Sequence, residues 1–351
     1  MKLNLSVKKK SKPAARDDLI PSGSTMLNLA LSDDPFGGYQ KGSLVNIVGD
    51  SSAGKTTLVL NCFAEVLHNK KLSNYYNVYY DEPERKLQIR IGDLYGSIEN
   101  KMIFVHDKFF ADADYYRVED FHSFILGKAK HPYIYGLDSL DACTSKQEIA
   151  KAKEALAKGD KAKGSYGGAD KAKIIGQVLR QIMSKHEKTD SLLMIVSQMK
   201  WKIDVAFGER RTRAGGEALR YHAMHEFWLH VKNHITRKGR EVGVQTKIRF
   251  KKNHLTGRLW EVEFPIYYDY GIDDTTSIID WLIEEGFWKY TGKKGISKID
   301  TGGDFPNHSK EKLIDHIEED EEKIIELKMV AGECWNKIIE ETSTKRKPRY
   351  S

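Results

Sequence analysis

Residues 44–56 run Leu-Val-Asn-Ile-Val-Gly-Asp-Ser-Ser-Ala-Gly-Lys-Thr, a short apolar stretch that breaks into a glycine-bounded turn. No other segment limits the fold as strongly. Gly49 to Thr56 satisfies G-x-x-x-x-G-K-[ST] at every position. In such a turn the backbone N–H groups of Gly49, Asp50, Ser51, Ser52, Ala53 and Gly54 wrap a phosphate group. Lys55 supplies charge to the β- and γ-phosphates, and the Thr56 hydroxyl can ligate Mg²⁺. The apolar run before the turn is a buried strand. TTLVLNCFAEVLHN after it reads as a helix with an apolar stripe, so its N-terminus, with Thr57, faces the same anion.

The pattern recurs. NVYY (77–80), MIFVH (102–106), YIYGLD (133–138) and LLMIVSQ (192–198) are strand-like, with polar or helical stretches between them. Short buried strands alternating with helices predict an α/β fold, a mainly parallel twisted sheet with helices on both faces. After residue 225, HEFWLHV, VQTKIRFKKN and WEVEFPIYY suggest an antiparallel C-terminal addition. Beyond 292 the chain turns Gly-, Lys- and Asp-rich and enters a charged helical stretch. The division expected is a basic arm over 1–20, a core over 21–292 and a charged, partly helical region over 293–351. With 40% apolar residues among 351, disorder is excluded, and no apolar run approaches the length of a membrane span. Three scattered cysteines fit neither a disulfide framework nor a zinc site, and favour a reducing cytoplasm.

Two acidic segments supply what a phosphate loop needs for hydrolysis. Asp138 ends an apolar strand, where its carboxylate could hold Mg²⁺ through water. Asp81, Glu82 and Glu84 follow NVYY, and one of them could orient and deprotonate an attacking water; spacing alone does not choose. Basic residues cluster in the first 20 positions, in 146–173 with eight lysines against four acids, and in 200–213. Each could be a solvated face, but together they point to a polyanionic partner. Lys200, Lys202, Arg210, Arg211 and Arg213 can pair with phosphates without sequence choice, and Phe207 could wedge between bases. Trp201, Ile203, Val205 and Phe207 alternate as in a half-buried strand, yet RRTRAGG is poor strand material, so a loop is expected.

GDSSAGKTT, YGLDSLDACTSKQEI and, above all, IVSQMKWKIDVAFGERRTRAGGEALRYHA resemble the RecA-type DNA recombinases, including phage members of the UvsX type. The similarity runs from about residue 20 to about 292, in the family order. It implies a RecA-like P-loop NTPase core that polymerises on single-stranded DNA with ATP bound between neighbouring subunits. By resemblance, Lys55 and Thr56 keep their phosphate and Mg²⁺ roles, and Asp138 with Ser139 forms the second metal motif. The catalytic acid falls on Glu84, with Glu82 as runner-up. Gln198 takes the sensor position for the γ-phosphate. The loop near 199–216, closing with Gly215 and Gly216, resembles the second DNA-binding loop. The segment near 145–173 resembles the first, with Lys173 and Arg180 matching basic contacts on the adjoining helix. Lys252 matches a lysine that reaches ATP across the subunit boundary.

The activity implied is a DNA-dependent ATPase, with ATP and Mg²⁺ as cofactors, that pairs and exchanges strands in recombination and repair. The partners implied are single-stranded DNA, homologous duplex DNA, further copies in a helical filament, and single-strand-binding and mediator proteins, with no membrane. A helicase-type motor on the same fold and an ATP-switched DNA-binding mediator are the alternatives. Some positions depart from the family. His254 stands where a second lysine is usual, Gln88 replaces an acid near the adenine, an aromatic platform there is missing, and the first loop is long and lysine-rich. The N-terminal arm lacks the helix that docks on the next subunit. Cytoplasmic residence is expected, in a bacterial host if phage-encoded, and the sequence leaves that origin open.

Overall fold

The computed structural model describes residues 16–84, 90–157, 168–201, 211–213, 217–292 and 297–346. Strand β1 (Leu19–Ile20) pairs antiparallel with β2 (Tyr39–Gln40), with helix α1 (Thr25–Ser32) between them. Ser24 caps α1 by accepting from the Leu27 N–H at 3.4 Å. β3 (Ser43–Gly49) leads through the glycine turn into α2 (Lys55–His68) and α3 (Lys70–Tyr75). β4 (Asn77–Asp81), α4 (Ile91–Tyr95), β5 (Ile103–Phe104), α5 (Val105–Phe109), α6 (Val118–Gly127) and β6 (Tyr133–Leu137) follow. Then come α7 (Lys146–Ala157), α8 (Gly168–His186), β7 (Leu192–Trp201), β8 (Arg211–Arg213) and α9 (Glu217–His222). The chain closes with β9 (His225–Arg237), β10 (Arg240–Asn253), β11 (Glu261–Tyr267), β12 (Gly271–Ile272), α10 (Asp274–Glu284), β13 (Lys289–Thr291), β14 (Lys298–Asp300), α11 (Lys310–Glu318) and α12 (Glu321–Thr342).

The main sheet runs β12-β11-β10-β9-β3-β7-β6-β4-β5, with β8 joined to the end of β7. From β9 to β5 all neighbours are parallel, and β10, β11 and β12 are antiparallel additions. Period-two alternation sorts the central strands between two cores. Leu192, Met194 and Val196 of β7 face the core beneath α1 and α2, while Leu193 and Ile195 face the core beneath α6 and α8. Gly136 of β6 sits where a Cβ would come within 2.7 Å of Val59 Cγ1 and 2.9 Å of Phe63 Cζ. Helix α2, which follows the phosphate loop, is thereby seated directly on the sheet.

Three expectations change. MIFVH is not one strand: only Ile103 and Phe104 pair, at the sheet edge, and α5 begins at Val105, whose side chain is buried against α6. The boundary at 20 leaves β1 in the arm, although Ile20 is fully buried in the core. The boundary at 292 does not separate the last region from the core, because Leu313, Ile317, Leu327 and Trp335 join the same core as α1 and α2. Its charged stretch is two helices, split where the Asp320 carboxylate accepts from the Glu322 N–H at 2.9 Å. Among the described residues no helix is long and apolar enough to cross a membrane.

Candidate active site

The parallel strands β3, β4, β6 and β7 end side by side, with Gly49 in register with Gln198 and Asp81 with Leu137. Each end contributes one part of the candidate site. After β3, Gly54 adopts φ +88°, which a side chain rarely tolerates, and a Cβ there would lie 2.3 Å from Ile266 Cδ1. No side chain caps α2, so its first N–H groups stay available to an anion. The Lys55 ammonium donates to the Asp50 carbonyl at 2.6 Å, folded onto the loop it would leave to meet phosphate. Burial lowers its pKa, and the carboxylates of Asp138, Asp50, Glu84 and Asp141 oppose that shift.

The Thr56 hydroxyl donates to Asp138 Oδ2 at 2.5 Å, and Tyr80 donates to the same oxygen at 3.3 Å. Burial raises the Asp138 pKa, against the pull of Thr56, Lys55 and Tyr80. A buried carboxylate facing a hydroxyl from the loop helix is a hard-oxygen donor pair that Mg²⁺ would satisfy together with phosphate oxygens. The residues present therefore fit that ion.

The three acids at the end of β4 have different surroundings. Asp81 is buried, and its Oδ2 accepts from the hydroxyls of Tyr116 and Tyr135. Burial pushes its pKa up to about 7, so it is a structural carboxyl beneath the site. The Glu82 charge acts on Tyr80 and Asp81. Glu84 Oε1 accepts from Ser139 Oγ at 3.1 Å and from Gln198 Nε2 at 3.3 Å. Glu84, Ser139 and Gln198 are thus joined, from three different strand ends. The Gln198 N–H also donates to Asp141 Oδ2 at 2.8 Å.

Beside the loop lies a cleft of about 770 Å³, lined by Lys55, Thr56 and Thr57 on one side and by Arg90, Asp93, Leu94, Tyr267 and Tyr268 on the other. Tyr267 and Tyr268 thus give the cleft an aromatic wall from elsewhere in the chain. Gln88 lies outside the described residues, and the tyrosines come from the end of β11 and the turn that follows it, over 170 residues along the chain. Sequence reasoning missed them, although FPIYYDYGI carries three tyrosines at the end of a strand. Lys252 does not line this cleft; its ammonium caps α9 by donating to the carbonyls of Arg220 (2.6 Å) and Tyr221 (3.2 Å).

The expected DNA elements lie partly within the described residues. The first is not a plain loop: α7 spans Lys146–Ala157 and α8 begins at Gly168, with 158–167 outside the described residues. Ser145 starts α7 through a capping box, its hydroxyl accepting from Glu148 N–H (3.1 Å) and its own N–H donating to Glu148 Oε2 (3.0 Å). The signal was legible as Ser-x-x-Glu before an Ala-rich run. Lys173 and Arg180 are exposed on α8, seven residues apart, opposite the buried Ile175, Leu179 and Ile182. In the second element, Met199, Lys200 and Trp201 pair antiparallel with Arg213, Thr212 and Arg211. The ends expected as loop are strand, because the prolonged β7 offers free backbone partners that outweigh the weak propensity of arginine. Lys202, Phe207, Arg210, Gly215 and Gly216 lie outside the described residues.

Comparison with known proteins agrees with this architecture. A family profile described as the RecA N-terminal domain matches residues 4–98 and 134–273. Protein RecA of Brucella anthropi is 26% identical over 335 residues, 95% of this chain and 85% of the relative. Protein RecA of Tropheryma whipplei is 27% identical over 325 residues, covering 92% and 66%. Protein RecA of Anaplasma marginale is 28% identical over 291 residues, covering 82% and 73%. With a fold and a phosphate site that match and a family profile spanning more than half of its length, this chain belongs to the RecA family.

Proposed function

We propose that the protein is an ATP-dependent recombinase that coats single-stranded DNA as a helical filament and promotes pairing and strand exchange with homologous duplex. The observation that carries this reading is the Glu84–Ser139–Gln198 set, placed at the root of the β7–β8 hairpin. A hydrolysis centre and a basic element share one strand.

In this reading, the turn from Gly49 to Gly54 wraps the triphosphate while Lys55 turns from the Asp50 carbonyl to the β- and γ-phosphates. Thr56 and Asp138 would hold Mg²⁺, which neutralises phosphate charge when bound. Glu84 orients the attacking water and takes its proton, held in place by Ser139 and Gln198. Gln198 meets the γ-phosphate, and its displacement shifts the hairpin that carries Arg211 and Arg213. Lys173, Arg180 and the arginines bind the DNA backbone through charge. Tyr267 and Tyr268 form a face for the base.

At the subunit boundary, Lys252 leaves the α9 carbonyls for the neighbouring ATP. His254 is a weaker partner, since burial and the adjacent Lys252 lower its pKa and keep it neutral near pH 7. Single-strand-binding and mediator proteins would control loading. Three buried, unpaired cysteines suit a reducing cytoplasm. Electron microscopy on single-stranded DNA with a slowly hydrolysed ATP analogue tests the reading. A helical filament is expected; a closed ring would favour a helicase-type motor, and isolated particles an ATP-switched mediator.

A further inference from the structure

A second cavity, of about 240 Å³, lies away from the nucleotide cleft between β11, α10 and α12. Three indoles form its wall. The Trp335 ring centroid is 5.1 Å from that of Trp260 at 62° and 5.8 Å from that of Trp281 at 41°. An indole face carries negative π density and attracts a cation that reaches it. The rim is acidic, with Asp280, Glu284 and Glu285 of α10 and its end all exposed. Lys310 neutralises Asp280 at 2.5 Å and Lys247 neutralises Glu261 at 2.5 Å, whereas Glu284 and Glu285 have no ion pair among the described residues. The indole Nε1–H of Trp260 is buried without an acceptor. Nearby, the Lys337 ammonium already sits 6.0 Å from the Phe287 ring centre. Indole faces, two unpaired carboxylates and an idle N–H donor suit a cation carried on a peptide, whose carbonyl would meet the donor.

The chain holds a segment of that chemistry close by. Helix α12 supplies Trp335 and Ile338 to the cavity wall and ends at Thr342. Lys345, Arg346, Lys347, Pro348 and Arg349 follow, of which Lys345 and Arg346 are described and exposed. Extended chain covers up to about 3.3 Å per residue, so residues 343–349 reach back roughly 20 Å, more than the four residues of helix, at about 1.5 Å each, that separate Ile338 from Thr342. A planar guanidinium stacks on indole better than an ammonium does.

We propose that the basic segment Lys345–Arg349 docks on its own chain in the Trp260–Trp281–Trp335 cavity, an arginine against the indoles and the remaining cations on Glu284 and Glu285. A short tether holds such a segment at millimolar effective concentration, so weak contacts suffice. The docking involves neither nucleotide nor DNA, and its test contains neither.

The test uses tryptophan emission of the full chain, comparing wild type with a tail variant in which Lys345, Arg346, Lys347 and Arg349 are all serine. The tail variant should show shifted emission, and a synthetic peptide of residues 343–350 should reverse the shift. Its half-saturation should rise at least tenfold in Glu284→Gln/Glu285→Gln, and also on raising salt from 50 to 500 mM. Wild type, with its own tail in place, should need at least tenfold more peptide. Trp281→Phe, a change that keeps an aromatic ring, should remove most of the shift. Identical emission from wild type and tail variant, or peptide binding that ignores Glu284 and Glu285, would overturn the proposal. So would a wild-type signal that disappears on dilution, which would assign the site to the tail of a second copy.

Discussion

Glu84→Gln separates geometry from proton transfer at the site. The amide keeps the size of the side chain and an oxygen that can accept from Ser139 and Gln198, as the carboxylate does at 3.1 and 3.3 Å. What is lost is the ability to take a proton from water. A positioned general base contributes roughly 10²–10⁴ in rate, or about 2.7–5.4 kcal/mol at 1.36 kcal/mol per decade. Ser139→Ala removes one hydrogen bond to a charged acceptor, worth about 1.5–3 kcal/mol when well buried. At this solvent-facing carboxylate only part of that should reach the transition state, giving a loss of about tenfold. The assay is single-turnover hydrolysis of radiolabelled ATP on saturating single-stranded DNA, with nucleotide affinity measured separately. Glu84→Gln should lose at least about 100-fold in rate, with affinity within about threefold. Asp81→Asn and Glu82→Gln should stay within about fivefold. A collapse in Glu82→Gln with Glu84→Gln near normal would refute the assignment, whatever hydrogen bonds Glu84 makes.

Three further outcomes are expected. Lys55→Ala should abolish DNA-stimulated hydrolysis, because the ammonium that stabilises the transferring phosphoryl group is gone; near-normal turnover would exclude this loop as the site. Neutralising Arg210, Arg211 and Arg213 together should weaken single-stranded DNA binding and lower the log–log salt slope by roughly 0.7 per lost phosphate contact, which an affinity series in salt measures. Asp81→Asn should flatten the pH dependence of stability. The folded pKa of about 7 lies above the unfolded value near 3.9, so the wild-type chain loses stability from this group as pH rises between them, at up to about 1.4 kcal/mol per unit. Melting curves should therefore place the variant well above wild type at pH 8 and closer to it at pH 5; parallel profiles would show that Asp81 ionises as freely in the folded chain.

The phosphate loop was legible because its chemistry is local: eight consecutive residues supply the turn, the charge and the metal hydroxyl. The central parallel strands were equally legible, since burial on both faces leaves unbroken apolar runs such as LVNIVG and LLMIVSQ; HEFWLHV, read as an antiparallel addition, instead pairs parallel with β3 as β9. The proposed catalytic acid was not. Asp81, Glu82 and Glu84 look alike in sequence, and what separates them is nonlocal. Tyr116 and Tyr135, from the stretch before α6 and from β6, claim Asp81, while Ser139 and Gln198 meet Glu84. The aromatic face of the cleft was hidden for a similar reason, because Tyr267 and Tyr268 reach the loop only when β11 and β12 fold across α2. The β7–β8 pairing was missed because propensity argued for a loop, whereas strand formation there depends on the edge that β7 already presents.

The sheet order explains how nucleotide and DNA can be coupled without a hinge. β7 lies between β3, which carries the phosphate loop, and β6, which carries Asp138. Gln198 is therefore flanked by both halves of the phosphate site, and its backbone is tied to Asp141 at 2.8 Å. Hydrogen bonding fixes β7 up to Gly49's partner, and one residue later the strand pairs with β8 instead. A change in the γ-phosphate that drew Gln198 from Glu84 would meet a rigid strand on one side and a three-residue pairing on the other. The weaker side yields. Displacement is thus directed outward, into the Met199–Trp201 and Arg211–Arg213 pair, which carries the basic residues. In the opposite direction, under the proposed function, DNA bound to this pair would hold Gln198 in place, and with it the Glu84 carboxylate. Under the proposed function, DNA-stimulated hydrolysis would need no separate signal: the residue assigned to phosphate sensing and the strand pair assigned to DNA are consecutive in one chain.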